Sequence, residues 1–274
     1  MTELLWGRPV ADSLAEKIQS QVQSNSFAPK LVTVGFSDAQ WLQYANSLKK
    51  SGEKLGITVE NVLTDGASVH NFEHTVSQIC AQPSVNGVLI EQPLPKEFAS
   101  ATRLIHPQKD VDCLCPQSVF SLYGGEGVLL PATPKAVLCL LDFYKIDVCG
   151  KNVVVVGRGK AVGKPLALML LQRNATVTIC HTKTVDLPQI TRNADIIVSA
   201  CGVHGLINAN CVTQNSIVID VGLSFVDGKT CGDASSEVYE IAKAVSPVPG
   251  GVGPITRMAL FENLLLATKL QTKQ

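Results

Sequence analysis

Apolar residues in the first part of the chain recur at spacings that distinguish helices from strands. Val10, Leu14, Ile18 and Val22 fall on one face of a helical projection and predict a first amphipathic helix. Beyond them, the predicted elements are a strand at 30–34, a helix at 38–55 that ends at Gly56, a strand at 57–63, a helix at 71–81 and a strand at 87–90. Strands that alternate with helices in this way predict a parallel sheet with right-handed connections.

The alternation stops at residue 91 and resumes near residue 133. The intervening stretch contains five prolines and the Gly124-Gly125 pair, which is typical of functional loops and short helices. Further along, the pattern predicts a helix at 134–144 and strands at 152–156, 176–180, 196–200 and 217–221. A last segment at 255–270 is apolar on most faces and predicts a buried helix.

These elements predict an α/β protein of two domains. The first, residues 1–132 together with 253–274, is a parallel-sheet α/β domain that binds the substrate. The second, residues 133–252, is a Rossmann-type, doubly wound domain that binds a dinucleotide.

Composition narrows the class of partner. The 274 residues include 46% hydrophobic residues and equal numbers of basic and acidic residues, 23 each, so a nucleic acid or an anionic membrane is disfavoured as the main partner. No apolar run reaches the length of a membrane span, and residues 1–6 lack a signal-peptide pattern. Nine scattered cysteines, with Cys113 and Cys115 the only close pair, predict reduced thiols and no metal site. A cytoplasmic protein with small-molecule ligands is expected.

A glycine turn follows the predicted strand at 152–156. Gly157, Gly159 and Gly163 would let backbone N–H groups approach a diphosphate, and the helix that follows would add positive partial charge. Three residues separate the second and third glycines, where two are usual, so a plain strand-to-helix turn remains an alternative.

The end of the next strand indicates which cofactor is bound. NAD sites usually place an acidic residue there, whereas this chain reads Cys180-His181-Thr182-Lys183. Arg158 and Lys183 could face a 2′-phosphate, so NADP is favoured. In the alternatives, Lys183 is a solvated loop charge and His181 only caps the strand end.

Three further segments have the character of a substrate site. Gln92, Pro93 and Leu94 follow a buried strand at the carboxyl edge, where open α/β sheets bind ligands. The uncharged 247–254 loop can press backbone groups against a flat ligand. Asp110 or Asp112 could accept paired N–H donors of an amino-heterocycle; for Asp112 the alternative is a carboxylate that caps a turn.

Over nearly its whole length the chain resembles the bifunctional methylenetetrahydrofolate dehydrogenase/methenyltetrahydrofolate cyclohydrolases. The resemblance is carried by the segments 92–95, 109–112, 131–134, 157–165, 181–184, 218–222 and 247–256. It implies an NADP-dependent enzyme of one-carbon metabolism, a homodimer, in which Tyr44, Gln92 and Asp112 take part in catalysis. The implied cofactor contacts are Gly157, Arg158, Gly159, Val162, Gly163, His181, Thr182, Lys183 and Leu223. The implied substrate contacts are Tyr44, Gln92, Pro93, Leu94, Asp112, Pro249, Gly250, Gly253 and Pro254.

The chain departs from this family at one catalytic position. The family places a lysine four residues after the tyrosine, and here Leu48 occupies that place. Lys49 lies about 100° further round a helix and should point elsewhere. Hydride removal from the substrate requires positioning, whereas hydrolysis also requires proton transfer, which leucine cannot assist. We therefore expect the dehydrogenase activity to be retained and the cyclohydrolase activity to be weak or absent. The alternative is that Leu48 is an ordinary core residue.

Three other functions remain open. Another group or water could replace the lysine and leave a fully bifunctional enzyme. The chain could bind folate or a nucleotide without catalysis. An unrelated NADP dehydrogenase is disfavoured by the 247–254 loop.

Overall fold

The computed structural model describes residues 1–24, 28–64, 66 and 68–272. In chain order its strands and α-helices are β1 (Glu3–Leu4), α1 (Gly7–Ser24), β2 (Lys30–Phe36), α2 (Ala39–Leu55), β3 (Thr58–Thr64), α3 (Val69–Ala81), β4 (Gly87–Ile90), α4 (Pro116–Gly124), α5 (Ala132–Phe143), β5 (Asn152–Val156), α6 (Gly163–Gln172), β6 (Thr176–Cys180), α7 (Leu187–Arg192), β7 (Ile196–Ser199), β8 (Ile217–Asp220), β9 (Ser224–Val226), β10 (Lys229–Cys231), α8 (Val238–Ile241), β11 (Ala244–Val245) and α9 (Val252–Thr272). Short 3₁₀ helices span Lys96–Leu104, Pro107–Lys109 and Ala209–Cys211.

The chain divides into two compact units, each built round its own sheet. Residues 13–132 and 257–274 form the three-stranded unit, and residues 1–12 and 133–256 form the six-stranded unit. The predicted boundaries differ at both ends, because residues 1–12 and 253–256 belong to the six-stranded unit. The reason for the first difference is β1, which pairs in parallel with β11 from the far end of that unit.

The three-stranded unit has the parallel sheet that the alternating pattern predicts. Its strand order is β3-β2-β4, and both pairings are parallel. Phe36, Phe72 and Phe98 pack together with ring centroids 5.0–5.4 Å apart and join the core that covers this sheet. The predicted strand at 87–90 is confirmed in its full extent, and all four of its residues are buried.

Helix α2, predicted at 38–55, is fixed at both ends by its own sequence. The Asp38 carboxylate caps its N-terminus by accepting hydrogen bonds from the N–H groups of Gln40 and Trp41. Gly56 ends it in the left-handed conformation, with φ of +75°, as the prediction required. Both termini of the helix that carries Tyr44 are therefore defined locally.

The six-stranded unit is a doubly wound parallel sheet, as predicted. Its strand order is β1-β11-β8-β7-β5-β6, with every pairing parallel. The predicted strands at 152–156 and 176–180 are confirmed in their full extent. The antiparallel hairpin of β9 and β10 was not predicted, although its turn residues Asp227 and Gly228, both with positive φ, are a common hairpin signal.

The last predicted helix is confirmed and begins three residues earlier than expected, at Val252. Ile255, Phe261 and Leu264 are fully buried along it. None of the described helices combines the length and apolar character that a membrane span requires.

Candidate functional site

Backbone contacts define the glycine turn of the six-stranded unit. Gly157, with φ of +118°, follows β5, and its N–H donates to the carbonyl of Cys180 in β6 (2.9 Å). A Cβ at Gly157 would lie 2.6 Å from the carbonyl oxygen of Ala200, and a Cβ at Gly163 would collide with the carbonyl of Gly157. Both positions require glycine because one stretch of backbone crosses another.

The N-terminus of α6 lies at the end of this turn without a side-chain cap. Val162 occupies the N-cap position, and its side chain cannot accept a hydrogen bond from the helix N–H groups. An anion is a favourable partner for such uncapped donors. Gly159 is exposed, and a Cβ added there would meet no atom within 4 Å, so space alone does not require glycine at this position.

The end of β6 carries cations and no carboxylate. Arg158, Thr182 and Lys183 are exposed at this carboxyl edge of the sheet. The ring Nδ1 of His181 accepts a hydrogen bond from the N–H of Lys183 (3.1 Å), which closes the turn at the end of β6. The next acidic residue along the chain, Asp186, caps α7 by accepting from the Gln189 N–H (3.2 Å). Its carboxylate is therefore already used locally.

Two buried carboxylates hold the loops that follow β7 and β8. Asp220 accepts from the N–H groups of Gly222 and Asp233 (3.0 Å each), and Asp233 accepts from the hydroxyl of Ser199 (2.6 Å). Burial raises the pKa of Asp220 to about 6. Leu223, a predicted cofactor contact, follows Gly222 directly and is 61% exposed. Sequence reasoning missed this pair of carboxylates.

The 247–254 loop is anchored by backbone contacts within the six-stranded unit. Gly250 has φ of +110°, and its carbonyl accepts from the N–H of Gly7 (2.8 Å). A Cβ at Gly250 would lie 2.8 Å from the ring of Trp6, so a larger residue is excluded. Of the other predicted substrate contacts in this loop, Pro249 and Gly253 are exposed and Pro254 is half-buried.

In the three-stranded unit, Tyr44, Asp112 and Arg257 lie within electrostatic reach of one another. Burial of the half-exposed Tyr44 side chain raises the pKa of its phenol above the ordinary value; Asp112 adds to the rise and Arg257 opposes it. The Tyr44 ring lies 5.9 Å from the ring of Trp41, between centroids. The structure thus brings together two residues predicted from the resemblance and one that was not predicted.

The structure distinguishes the two candidate aspartates. Asp110 is fully buried, and its two oxygens accept from the N–H groups of Leu114 (2.9 Å) and Cys115 (2.8 Å). Asp112 uses one oxygen, Oδ1, to accept from the N–H of Ala132 (2.9 Å). Asp110 is therefore the carboxylate that caps the turn, whereas the Oδ2 of Asp112 accepts no hydrogen bond from the described residues.

The surroundings of Asp112 shift the pKa of its carboxyl group. Burial raises its pKa to about 7, the nearby Asp110 adds to the rise, and the hydrogen bond from Ala132 opposes it. A ligand that donates hydrogen bonds to the free oxygen would favour the charged form.

Leu48 lies on the buried face of α2, together with Trp41, Ala45 and Leu55. Its side chain is completely inaccessible to solvent. Lys49 is exposed and lies on another side of the helix, as its position predicts. Leu48 thus follows Tyr44 by one helical turn but has the burial of a core leucine.

The segment after β4 begins with Glu91, whose partners the sequence alone could not specify. Gln92 and Pro93 are exposed, and Leu94 packs against the core. Glu91 accepts from the N–H of Phe36 (2.6 Å); burial and a hydrogen bond with Asp38 raise its pKa to about 7. Its signal in the sequence was an acidic residue placed directly after a buried strand.

Arg257 had no comparable signal. It lies half-buried in α9, and its Nη1 donates to the hydroxyl of Ser47 in α2 (2.6 Å). The two residues are 210 positions apart, so no local pattern connects them. Within the described ranges, no group of three or more His, Cys, Asp or Glu side chains is arranged to hold a metal ion.

These features define a two-unit α/β protein with a Rossmann-type nucleotide turn and a separate acid–tyrosine site. Comparison with known proteins identifies the family to which this α/β protein belongs. Residues 5–112 match the catalytic domain of the tetrahydrofolate dehydrogenase/cyclohydrolase family model, and residues 131–272 match its NAD(P)-binding domain. The chain belongs to the tetrahydrofolate dehydrogenase/cyclohydrolase family, which confirms both the resemblance and the predicted dinucleotide-binding fold.

Relatives match the chain from end to end. It is 40% identical to the "Bifunctional protein FolD 1" of Desulfitobacterium hafniense, covering 99% of this chain and all of that protein. The crystal structure of the bifunctional 5,10-methylenetetrahydrofolate dehydrogenase/cyclohydrolase of Thermoplasma acidophilum aligns with a TM-score of 0.94 and 36% identity, covering 99% of this chain and 100% of that one. The Trypanosoma brucei enzyme, solved with NADP and an inhibitor, aligns at 0.93 with 31% identity, covering 100% of this chain and 99% of that one.

Proposed function

We propose that this chain oxidises 5,10-methylenetetrahydrofolate to 5,10-methenyltetrahydrofolate with NADP, as an enzyme of one-carbon metabolism. The observation that carries the proposal is the contrast between Asp110 and Asp112. Both oxygens of Asp110 accept hydrogen bonds from backbone N–H groups, whereas Asp112, near Tyr44, has one oxygen that accepts none from the described residues. A pterin presents paired N–H donors, and a carboxylate is the acceptor that suits them. Family membership supports the same substrate class.

The glycine turn fits the cofactor. Gly157 and Gly163 allow the close backbone crossings that shape the turn, and the uncapped N-terminus of α6 beside it suits a diphosphate. Arg158 and Lys183 are the cations available for a 2′-phosphate, and no carboxylate stands where it would repel one. His181, Thr182, Val162, Gly159 and Leu223 are the further contacts proposed from the resemblance. When bound, NADP supplies the hydride acceptor.

The chain's own residues have the task of holding the substrate in the reactive position. Asp112 binds the pterin end, and Tyr44 offers a ring for stacking, with its phenol kept protonated by burial. Gln92, Pro93 and Leu94 extend from the carboxyl end of β4, and Pro249, Gly250, Gly253 and Pro254 remain predicted contacts. Removal of a hydride leaves a delocalised cation, so positioning is the principal demand on these groups.

Hydrolysis of that cation makes a further demand that position 48 does not meet. Water must lose a proton as it attacks, and a basic group within reach typically accelerates such a step by about 10²–10⁴-fold. Leu48 has no group that can accept a proton. We therefore propose that the cyclohydrolase activity is weak. The second candidate, full bifunctionality, is favoured by the activity stated in the names of the relatives.

One assay separates the candidates. Methylenetetrahydrofolate and NADP are supplied together, and NADPH formation and the decay of methenyltetrahydrofolate absorbance are followed in parallel. NADPH formation with a persistent methenyl signal supports a dehydrogenase with weak hydrolysis. Decay at a rate comparable with NADPH formation supports the bifunctional enzyme. No NADPH at any substrate concentration contradicts the proposal and favours a binding protein.

The cellular setting is also a proposal. We propose a cytoplasmic homodimer, on the basis of the family resemblance and the balanced charge of the chain. Gel filtration with light scattering measures the mass directly, and a monomer at micromolar concentration contradicts the dimer.

A further inference from the structure

Helix α9 buries an amide side chain among apolar residues. Asn263 is completely inaccessible to solvent, and its helix neighbours Phe261, Leu264 and Leu265 are buried as well. An amide that leaves water at such a position costs free energy unless it forms hydrogen bonds. The presence of Asn263 inside the three-stranded unit is therefore explained by the acceptors that it meets there.

The acceptors of Asn263 are two backbone carbonyls that are distant from it in the sequence. Its Nδ2 donates to the carbonyl of Val111 (2.8 Å) and to the carbonyl of Leu130 (2.6 Å). Val111 directly precedes Asp112 in the chain. Leu130 lies two residues before Ala132, whose N–H donates to the Oδ1 of Asp112 (2.9 Å). One side chain of α9 thus joins the two segments that form the hydrogen bond to Asp112.

The segment 110–112 is also tied to β4. The backbone of Asp110 forms an isolated parallel bridge with Val88 of that strand. A Cβ added at Gly87 would lie 2.5 Å from the side chain of Val111, so strand and segment pack in close contact. The segment is therefore held by β4 through its backbone and by α9 through the Asn263 amide.

We propose that Asn263 is a positioning residue for substrate binding and that it acts through Asp112. By joining the carbonyls of Val111 and Leu130, it keeps the Ala132 N–H within reach of Oδ1. The inference rests on the proposed function, in which the other oxygen of Asp112 accepts from the pterin. Without the two donors of Asn263, the two segments can move apart, and the carboxylate loses the partner that fixes its rotation.

The test is a calorimetric titration of tetrahydrofolate into Asn263→Leu, which keeps most of the side-chain volume and removes both donors. The dissociation constant should rise by about three- to tenfold, the range expected when a hydrogen bond is partly lost, while NADP affinity is kept. Gln271→Leu is the matched control on the same helix. The Nε2 of Gln271 also donates to two backbone carbonyls, those of Asn86 and Gln108 (2.8 Å each), neither of which adjoins Asp112. This control should keep the folate affinity of the parent.

A second readout separates positioning from a general loss of structure. In the Asp112→Asn background, Asn263→Leu should weaken folate binding further by less than about twofold, because two changes that act on one contact do not add. A loss as large in that background as in the parent means that Asn263 only stabilises the fold, and it overturns the proposal. A folded Asn263→Leu with the parent's affinity, or an equal loss in Gln271→Leu, overturns it as well. If the leucine variant does not fold, Asn263→Ser, which retains one donor, takes its place and the same outcomes decide.

Failure of the proposed function gives a different result. In that case the parent does not bind tetrahydrofolate, or Asp112→Asn binds it as tightly as the parent does. The positioning role is then measured in the ligand-free protein as the pKa of the Asp112 carboxyl, by NMR titration. The pKa should be higher in Asn263→Leu than in the parent, because the hydrogen bond from Ala132 favours the charged form. An unchanged pKa in Asn263→Leu, or an equal rise in Gln271→Leu, contradicts the role of Asn263.

Discussion

The glycine turn after β5 and the helix α2 are both proposed to bind ligands, but they are built in opposite ways. The turn depends on backbone: Gly157 and Gly163 are required because a Cβ would strike main-chain atoms. Helix α2 and its neighbours depend on side chains, chiefly Tyr44, Asp112 and Arg257. A backbone site fails when its glycines change, whereas a side-chain site can lose one reaction through one replacement and keep its fold. We propose that position 48 is such a replacement.

The strongest way to sharpen this comparison is to restore a base at position 48. In Leu48→Lys we expect hydrolysis of methenyltetrahydrofolate to rise by about 10²–10⁴-fold over the parent. The melting temperature should fall, because an ammonium group replaces a fully buried side chain. Leu48→Met is the matched control and should change neither quantity much.

The measurement is the decay of methenyl absorbance in the folded variant, corrected for the uncatalysed rate. If the parent already hydrolyses as fast as it oxidises, position 48 does not govern the second activity. If Leu48→Lys folds and gains nothing, the leucine is an ordinary core residue.

The next largest expected effect is the loss of folate affinity when Asp112 is replaced. Asp112→Asn keeps an acceptor for the Ala132 N–H but replaces the free oxygen by an NH₂ donor, which would face the donors of the pterin. Folate affinity should fall by about 30-fold or more, as expected for a lost charge-assisted pair, and NADP affinity should stay within about twofold.

Asp110→Asn is the paired control. It leaves one backbone N–H unsatisfied and should reduce the free energy of unfolding by about 1–3 kcal/mol while folate affinity is kept. Calorimetric titrations of both ligands and thermal melts distinguish the two aspartates. Equal behaviour of the two variants would remove the distinction on which the proposed function rests.

The preference for NADP over NAD tests the proposed cofactor site at the glycine turn after β5. Arg158→Ala should reduce the preference for NADP over NAD, measured as the ratio of kcat/KM values, by about tenfold, because a charge-assisted contact to the 2′-phosphate is lost. Lys151→Ala, at the opposite end of β5, should leave the ratio unchanged. An unmodified enzyme that uses both cofactors equally well would contradict the assignment.

The smallest expected effect concerns Glu91. The folded state raises its pKa from 4.5 to about 7, so its stabilising contribution is complete below pH 4.5 and is lost as the pH rises through 7. The amide introduced by Glu91→Gln does not ionise over this range. The melting temperature of Glu91→Gln minus that of the parent should therefore increase by about 1–3 °C as the pH is raised from 5 to 8. An exposed control, Glu53→Gln, should show no such trend, and a constant difference for Glu91→Gln would rule out the linkage.

Most of the fold could be predicted because it depends on local pattern. The strands at 87–90 and 152–156 are short, largely apolar and largely buried, whereas 176–180 is a mostly exposed edge strand of β-branched residues; all three were predicted to the residue. The two-residue strand β1 could not be found, since Glu3 and Leu4 carry no pattern and pair with residues some 240 positions away. The grouping of residues 1–12 with the six-stranded sheet follows from that long-range pairing.

The site was less predictable for a related reason. The glycine turn is contiguous, so its residues could be recognised together. The side-chain site joins α2, the loop at Asp112 and Arg257 of α9, and only the fold brings Arg257 to Ser47. Asp110 and Asp112 are chemically identical in the sequence, and only their backbone partners separate a capping carboxylate from one with a free oxygen.

The pairing of β1 with β11 has a consequence for how the protein is made. Leu4 leaves the ribosome early, whereas its partner Val245 follows about 240 residues later, on the order of tens of seconds at typical rates of synthesis. Residues 257–272, which complete the three-stranded unit, emerge later still. Neither unit therefore has all of its parts until the residues of β11 and of α9 have been made. Until then the nascent chain must hold a growing set of buried strands without their partners, which makes residues 244–272 decisive for its yield.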